Sequence, residues 1–238
     1  MVVTLSRIPT LRELYRTSVL RLADSAKPRH QPRGCLLDKI SLYQGDITKM
    51  ELDAIVNAAN RSLLAGGGVD GAIHAAAGPR LLEECRTLHG CETGNSKITK
   101  GYDLPAGHVI HTVGPVYAKE KADMKAEQLV SCYKTSLQLA LEHSVKHVAF
   151  PSISTGIYGY PIKDATHLAL NTVREVMDTP DANELERVIF VVWSDSDKLV
   201  YEELLPLYFP PDGEISRTAS QEGWELVNDS GSSENARV

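Results

Sequence analysis

Short apolar runs alternate with helical periodicity along most of this 238-residue chain, and the alternation limits the folds open to it. The pattern predicts strands at 39–43, 53–57, 108–113, 146–150 and 187–193, and helices at 68–77, 79–88, 125–142, 162–178 and 197–206. The runs at 148–150 and 188–192 are apolar throughout, as in strands that helices cover on both faces. We therefore expect an α/β sandwich with a largely parallel or mixed sheet, whose ligands bind beyond the strand carboxyl ends.

A glycine-rich segment follows the second predicted strand and opens the first long helix. Gly66, Gly67 and Gly68 would let backbone N–H groups approach a phosphate, and the helix dipole favours an anion there. Asp70 and His74, four residues apart, share one helix face beside that anion. The glycines also fit G-x-G-x-x-G, but the strand ends too early, and the nearest following acids, Glu83 and Glu84, lie in a predicted helix rather than closing a second strand. A phosphate site with candidate catalytic groups is the better interpretation.

Three further positions lie at predicted strand ends. The glycine-containing loop 154–161 follows a buried strand and is placed to close over the same anion from the opposite side. Asp46 either accepts a hydrogen bond from an exocyclic amine such as that of adenine or caps a turn, and spacing favours the cap. Trp193 either stacks on a base or ribose or fills the core, and the sequence does not separate these alternatives.

Cysteine and histidine spacing argues against a metal site. The four cysteines form no CxxC pair, so we expect reduced thiols and a cytoplasmic or nuclear location. The pairs His108/His111 and His143/His147 have no nearby partner at a zinc spacing, and His111 is expected to be a hydrogen-bonded core histidine.

Charge is distributed unevenly along the chain. Residues 1–35 carry seven Lys/Arg and two Asp/Glu (+5), and residues 211–238 carry two and six (−4), so the total of −6 leaves −7 for residues 36–210. The acidic middle of the chain argues against nucleic acid as a partner, and no apolar run approaches the ~20 residues of a membrane span.

We expect a helix and linker at 1–35, one domain at 36–208 and a disordered acidic tail at 209–238. The Arg-rich start also fits a mitochondrial presequence, whereas the capping-box pair Thr10 and Glu13 favours a folded helix.

The ordered motifs together resemble the macrodomain family, and within it the MacroD-type mono-ADP-ribosyl hydrolases. The resemblance covers roughly 8–16 and 37–205, and it is carried by blocks that include Gly45–Thr48, Ala54–Asn60, Gly66–His74, Ala77–Pro79, Tyr102–Ala106, His111–Pro115 and Ser154–Gly159. It departs from the family at Ala65, where many relatives have a first glycine, and at Ala75, where relatives often have a basic residue. Alanine suffices at position 65 unless its φ must be positive.

The resemblance implies a three-layer α/β/α macrodomain sandwich with a mixed central sheet, binding ADP-ribose. It implies that Asn60, Asp70 and His74 are catalytic, that Asp46 contacts the adenine amine, and that Trp193 lies near the base and ribose. The other implied ligand-binding residues are Ile47, Ala58, Gly66, Gly67, Gly68, Val69, Ser154, Thr155, Gly156, Ile157 and Tyr158, with Asn60 and Asp70 also among them. No cofactor or metal is implied.

The chemistry expected of such a site follows from its single acid. Most glycosidases use two carboxylates, whereas this motif offers only Asp70 near the distal ribose. An ester to Asp or Glu has a carboxylate leaving group of pKa ~4, which needs little acid catalysis. We therefore expect a monomeric, metal-independent hydrolase that removes mono-ADP-ribose from acidic side chains of modified proteins and cleaves O-acetyl-ADP-ribose. The alternative is a non-catalytic module that only binds ADP-ribose.

Overall fold

The computed structural model of the chain describes residues 1–23 and 25–213. Its strands are β1 (Val3–Thr4), β2 (Ile40–Gln44), β3 (Met50–Glu51), β4 (Ala54–Ala59), β5 (Ser96–Lys100), β6 (His108–Val113), β7 (His147–Pro151) and β8 (Arg187–Val192). Its helices are α1 (Leu11–Arg16), α2 (Gly34–Lys39), α3 (Gly68–Ala77), α4 (Pro79–Thr87), α5 (Ala122–Glu142), α6 (Ile162–Met177) and α7 (Asp195–Tyr208).

Six strands form one mixed sheet in the order β2–β8–β7–β4–β6–β5. All neighbours are parallel except β5, which runs antiparallel to β6. Because side chains alternate along each strand, Val148 and Phe150 enter one apolar core while Ala149 enters the other. The first core is covered by α1, α2, α5, α6 and α7, and the second by α3 and α4. The predicted three-layer α/β/α sandwich with a mixed sheet is confirmed.

The predicted elements agree with the observed ones to within three residues at each end, but α2, β5 and the two-residue strands β1 and β3 are missing from the prediction. Helix α2 lies at the end of the region read as a linker, and β5 lies in a segment given no assignment. The predicted capping box of α1 is confirmed, with Thr10 and Glu13 each accepting from the other's backbone N–H. None of the helices in the described ranges is long and apolar enough to cross a membrane.

The chain ends described by the structure pack against the sandwich. Leu11 and Tyr15 of α1 are buried, and the Tyr15 hydroxyl donates to the Phe209 carbonyl at 2.8 Å. Arg12 pairs with Asp212 at 3.3 Å. Packing contacts therefore continue to Asp212, beyond the predicted domain end at residue 208. Residues 214–238, most of the predicted acidic tail, lie outside the described residues.

Candidate active site

A cleft of about 560 Å³ lies across the carboxyl ends of β2, β8, β7 and β4. All fifteen residues expected to bind ligand line it, from Asp46 after β2 to Trp193 after β8. The cleft thus lies where open α/β sheets bind their ligands. Sequence reasoning missed Gly114 and Ser152 in its lining, although both directly follow strands and the same strand-end rule points to them.

An anion bound in the cleft would meet backbone amides rather than cationic side chains. Among the described residues that line it, none is Lys or Arg. Helix α3 begins at its edge with Gly68, and the preceding Gly67 supplies no capping side chain, so the first N–H groups of α3 have no side-chain cap. Such a helix start favours a bound anion through its N–H groups and its dipole.

The glycine turn, residues 65–68, is fixed by hydrogen bonds from one carboxamide. Asn60 Nδ2 donates to the Ala65 carbonyl at 2.8 Å, while Asn60 Oδ1 accepts from the Ser62 backbone at 3.0 Å. Ala65 has φ of +68°, so the departure from glycine noted in the sequence places a Cβ in the left-handed region at a cost of about 1–2 kcal/mol. The Asn60 hydrogen bond therefore stabilises a turn whose backbone conformation alanine disfavours at position 65.

Asp70 lies at the end of the cleft beside the glycine turn and is 3% exposed. Its Oδ1 accepts from Asn57 Nδ2 at 2.7 Å, and its Oδ2 lies 3.4 Å from Asn60 Nδ2. Burial raises the pKa of the Asp70 carboxyl, and the Asn57 hydrogen bond and the nearby His74 oppose that rise. The site therefore keeps a carboxylate in a nearly dry position by giving it amide donors.

His74 lies behind Asp70 and does not line the cleft. Its Nε2 is 3.5 Å from Asp70 Oδ1, and neither ring nitrogen makes a hydrogen bond. Burial lowers the pKa of His74, and the Asp70 carboxylate opposes that change. His74 therefore packs beside Asp70 without a hydrogen bond, and it exchanges a proton with Asp70 only if the pair rearranges.

A layer of buried polar side chains lies beneath Asp70, and sequence reasoning assigned it no role in the site. Asn57 Nδ2 lies 3.1 Å from His111 Nδ1, and His111 Nε2 lies 2.9 Å from Thr99 Oγ1. The expected core position of His111 is confirmed, because the residue is fully buried and hydrogen-bonded at both nitrogens. Asn57 and His111 meet because they are register partners in the parallel pair of β4 and β6.

The ligand atoms of His74, Cys85 and His111 all lie within 4.8 Å of one another, a grouping that chain spacing did not predict. These are residue types that zinc takes, but both His111 nitrogens already bond to Asn57 and Thr99. Burial also raises the pKa of the Cys85 thiol to about 11. The cluster as arranged does not fit a resident cation, because His111 is committed to Asn57 and Thr99 and the Cys85 thiol stays protonated.

The opposite edge of the cleft is the second loop, residues 152–160. Ser154 adopts φ of +68°, and its buried hydroxyl has no partner within the protein. A Cβ at Gly114 would collide with that hydroxyl, so only glycine there allows this close approach. Ile157 is 80% exposed and reaches across to within 3.0 Å of the position a Cβ on Gly67 would take. The two glycine-containing segments therefore face each other across the cleft.

The structure separates the alternatives left open for Asp46 and Trp193. Asp46 Oδ1 accepts from the Thr48 N–H at 2.9 Å, so the predicted turn cap is present, in a residue that also lines the cleft. Trp193 is 75% exposed and lines the cleft, so the core-filling alternative is wrong. Its indole is available to a ligand.

Comparison with known proteins identifies the family. The Macro domain family matches residues 56–169. A macro domain-containing protein of Chlorobaculum tepidum is 58% identical over 166 residues, which cover 70% of this chain and 95% of that protein. The chain belongs to the macro domain family. The cleft described above occupies the matched region and its flanks.

Two further macro domain proteins resemble the chain. ADP-ribose glycohydrolase MACROD1 of Mus musculus is 50% identical over 208 residues, covering 87% of this chain and 63% of that protein. This chain therefore spans less than two thirds of the length of that relative. The Trypanosoma brucei macrodomain, solved in complex with ADP-ribose, is 38% identical with a TM-score of 0.72, covering 86% of this chain and 77% of that one.

Proposed function

We propose that this macro domain protein hydrolyses ester-linked ADP-ribose, removing mono-ADP-ribose from Asp and Glu side chains and cleaving O-acetyl-ADP-ribose. The observation that carries the proposal is Asp70, a buried carboxylate held by two carboxamides at one end of a cation-free cleft. A module that only binds ADP-ribose has no use for a carboxylate kept in that position at a desolvation cost. The glycohydrolase name of the MACROD1 relative and the ADP-ribose complex of the trypanosomal macrodomain support the same function.

In the proposed complex, the diphosphate lies between the glycine turn and the second loop. The uncapped N–H groups at the start of α3 bind one side of it, and the unpartnered Ser154 hydroxyl is available on the other. The adenine lies towards Asp46 and Trp193, and the distal ribose lies towards Asn60 and Asp70. This arrangement places the modified carbon of the distal ribose beside the buried carboxylate.

For the protein substrate, the proposed reaction uses Asp70 to orient and deprotonate a water molecule that attacks the ribose carbon carrying the ester oxygen. The bond to the departing carboxylate breaks as the new bond to water oxygen forms, and the proton passes to Asp70. A carboxylate of pKa ~4 leaves without a general acid, so one protein carboxylate suffices. Asn57 and Asn60 keep that carboxylate oriented, and His74 lies beside it with Nε2 3.5 Å from Asp70 Oδ1. No step requires a cofactor or metal.

The test compares two substrates and three proteins without added metal. Protein mono-ADP-ribosylated on Glu should lose its ADP-ribose to the wild type, whereas protein modified on Ser should keep it. Asp70→Ala should lower the rate roughly 10²–10⁴-fold, the range for losing a general base. Asp197→Ala removes another carboxylate that lines the same cleft, away from Asp70, and should stay within about threefold of the wild type.

Calorimetry with ADP-ribose separates catalysis from binding in these variants. Asp70→Ala should retain binding, because the diphosphate contacts lie elsewhere. Release from both substrates or from neither, or near-unchanged turnover by Asp70→Ala, would contradict the proposal. Binding without turnover by the wild type would instead establish a binding module.

We further propose that the protein acts as a monomer on mono-ADP-ribosylated proteins, without nucleic acid. The acidic charge of residues 36–210 and the cation-free cleft support this. Light scattering at working concentration, with and without RNA, tests it. A dimer mass or an RNA-dependent increase in mass would refute it.

A further inference from the structure

A chain of hydrogen bonds runs from Asp70 through three buried side chains. Asn57 donates to Asp70 Oδ1 at 2.7 Å and lies 3.1 Å from His111 Nδ1. On the far side of the ring, His111 Nε2 lies 2.9 Å from Thr99 Oγ1. Asn57, His111 and Thr99 are each at most 2% exposed, so water cannot replace a missing partner.

Only one assignment of protons satisfies the donors and acceptors along this series of hydrogen bonds. Asn57 Nδ2 has two hydrogens, and its two neighbours are Asp70 Oδ1 and His111 Nδ1, so both neighbours must accept. His111 must then carry its proton on Nε2 and donate it to Thr99 Oγ1. The Thr99 hydroxyl hydrogen is directed to the Val109 carbonyl at 3.5 Å.

From these donors and acceptors we propose that His111 is a positioning residue for the hydrolysis proposed above. Its unprotonated Nδ1 determines that Asn57 Nδ2, and not Oδ1, points at Asp70. The inference rests on the proposed function for its kinetic consequence but not for its structural one. If the amide turned over, Asn57 Oδ1 would face two acceptors, the Asp70 carboxylate and His111 Nδ1. His111 makes that orientation unfavourable and so keeps a donor on Asp70.

Burial keeps His111 neutral and so preserves this arrangement of hydrogen bonds. The pKa of His111 is lowered to about 3, so the ring is neutral throughout the range in which the protein would work. Asn57 Oδ1 has no hydrogen-bond partner, so the amide is held by its two donated bonds alone. Loss of the His111 acceptor therefore removes half of what holds the amide.

The test uses two carboxamides that differ by one methylene. In His111→Asn, the side-chain oxygen stands three bonds from Cα, like Nδ1, and can accept from Asn57. In His111→Gln, the amide stands where Nε2 was and meets Thr99, so Asn57 loses its acceptor. We expect kcat on the Glu-linked substrate to fall roughly ten- to a hundredfold in His111→Gln, as for losing a hydrogen bond that serves a charged group, with KM unchanged. His111→Asn should stay within about threefold of the wild type.

A carboxyl titration of ligand-free protein by NMR gives a readout that does not need activity. Asp70 is faced by His74 from its own helix, by Cys85 from α4 and by His111 from β6, with the uncharged Asn57 between. Freeing the Asn57 amide should raise the Asp70 pKa in His111→Gln by about half a unit or more, and in His111→Asn by less. The acid limb of the kcat/KM profile, which reports the free enzyme, should move to higher pH by the same amount.

A second pair keeps the inference testable if the His111 variants do not fold. Thr99→Val removes the oxygen acceptor of the Nε2 proton and leaves only the Cys85 thiol, whose Sγ lies 3.7 Å from Nε2. A thiol accepts hydrogen bonds weakly and can donate one, so the variant favours the other tautomer, which aims a donor at Asn57. Thr99→Ser retains the acceptor. We expect Thr99→Val to lower kcat and raise the Asp70 pKa, and Thr99→Ser to do neither.

The outcomes separate the two claims. An inactive wild type would overturn the proposed function, whereas the Asp70 titrations would still decide the role of His111. Equal effects of His111→Asn and His111→Gln, on both kcat and the Asp70 pKa, would overturn the inference. Where only the Thr99 pair folds, equal effects of Thr99→Val and Thr99→Ser would overturn it in the same way.

Discussion

On the β4 side of the cleft, buried polar atoms bond to one another, and Asn57, Asn60 and Asp70 form one connected group. On the β7–β8 side, two large apolar side chains stand open to solvent, Ile157 at 80% exposed and Trp193 at 75%, and the buried Ser154 hydroxyl has no partner. The first side holds its geometry without a ligand, and the second leaves its contacts to be made by one. Catalysis requires a side with fixed geometry, because a reacting group displaced by 1 Å loses much of its effect.

The largest effect expected from this comparison is on backbone packing at two glycines. A Cβ at Gly71 would lie 2.6 Å from the Gly66 carbonyl oxygen, whereas a Cβ at Gly156 in the second loop would meet nothing within 4 Å. Gly71→Ala should therefore lower the free energy of unfolding by about 1–3 kcal/mol, the usual cost of overpacking. Gly156→Ala should change it by less than about 0.5 kcal/mol.

Urea unfolding of both variants measures the difference, and calorimetry with ADP-ribose shows whether the glycine turn has moved. Equal stability of the two variants would mean that the β4 side is no more rigid than the other. A loss in Gly156→Ala alone would reverse the comparison.

Acid sensitivity should also arise on the β4 side. The pKa of buried His111 is about 3 in the folded protein, against an ordinary value near 6.5 in the unfolded chain. Between these values the unfolded chain binds more protons, so the free energy of unfolding falls as the pH falls from 6.5 towards 3. His74, whose pKa is also lowered, acts in the same direction, and Asp70, whose pKa is raised, acts in the opposite one.

Replacing His111 isolates its share of that slope. The free energy of unfolding, measured in urea between pH 7 and 4.5, should fall less steeply for His111→Asn than for the wild type, by at most about 1.4 kcal/mol per pH unit. His143→Asn, which makes the same substitution at an exposed histidine, is the matched control. Parallel slopes for His111→Asn and the wild type would show that His111 titrates alike in both states.

Local patterns in the sequence were enough to place most elements and the glycine turn. Helix α5 and strand β8 carry long, regular apolar patterns and were placed closely. Strand β5 reads Ser-Lys-Ile-Thr-Lys with one apolar residue, because it is an edge strand that leaves most of its length partly exposed. Helix α2 is six residues long and begins with glycine, so periodicity had little to act on.

The support beneath Asp70 could not be predicted in the same way. The Asn57–His111 contact depends on the register of β4 against β6, 54 residues apart in the chain. Thr99 reaches His111 only because the unpredicted strand β5 pairs antiparallel to β6. Residue types at strand ends therefore located the cleft, whereas partners within the sheet required the strand order.

The smallest expected effect belongs to the open side of the cleft. Trp193 contributes little to the core because three quarters of its surface is exposed. Trp193→Ala should therefore leave the melting temperature unchanged and weaken ADP-ribose binding about three- to tenfold, the range for one aromatic stacking contact. Trp193→Phe should recover most of the affinity, and kcat at saturating substrate should not change in either variant. A fall in kcat without a change in affinity would place Trp193 with the catalytic groups and erase the difference between the two sides.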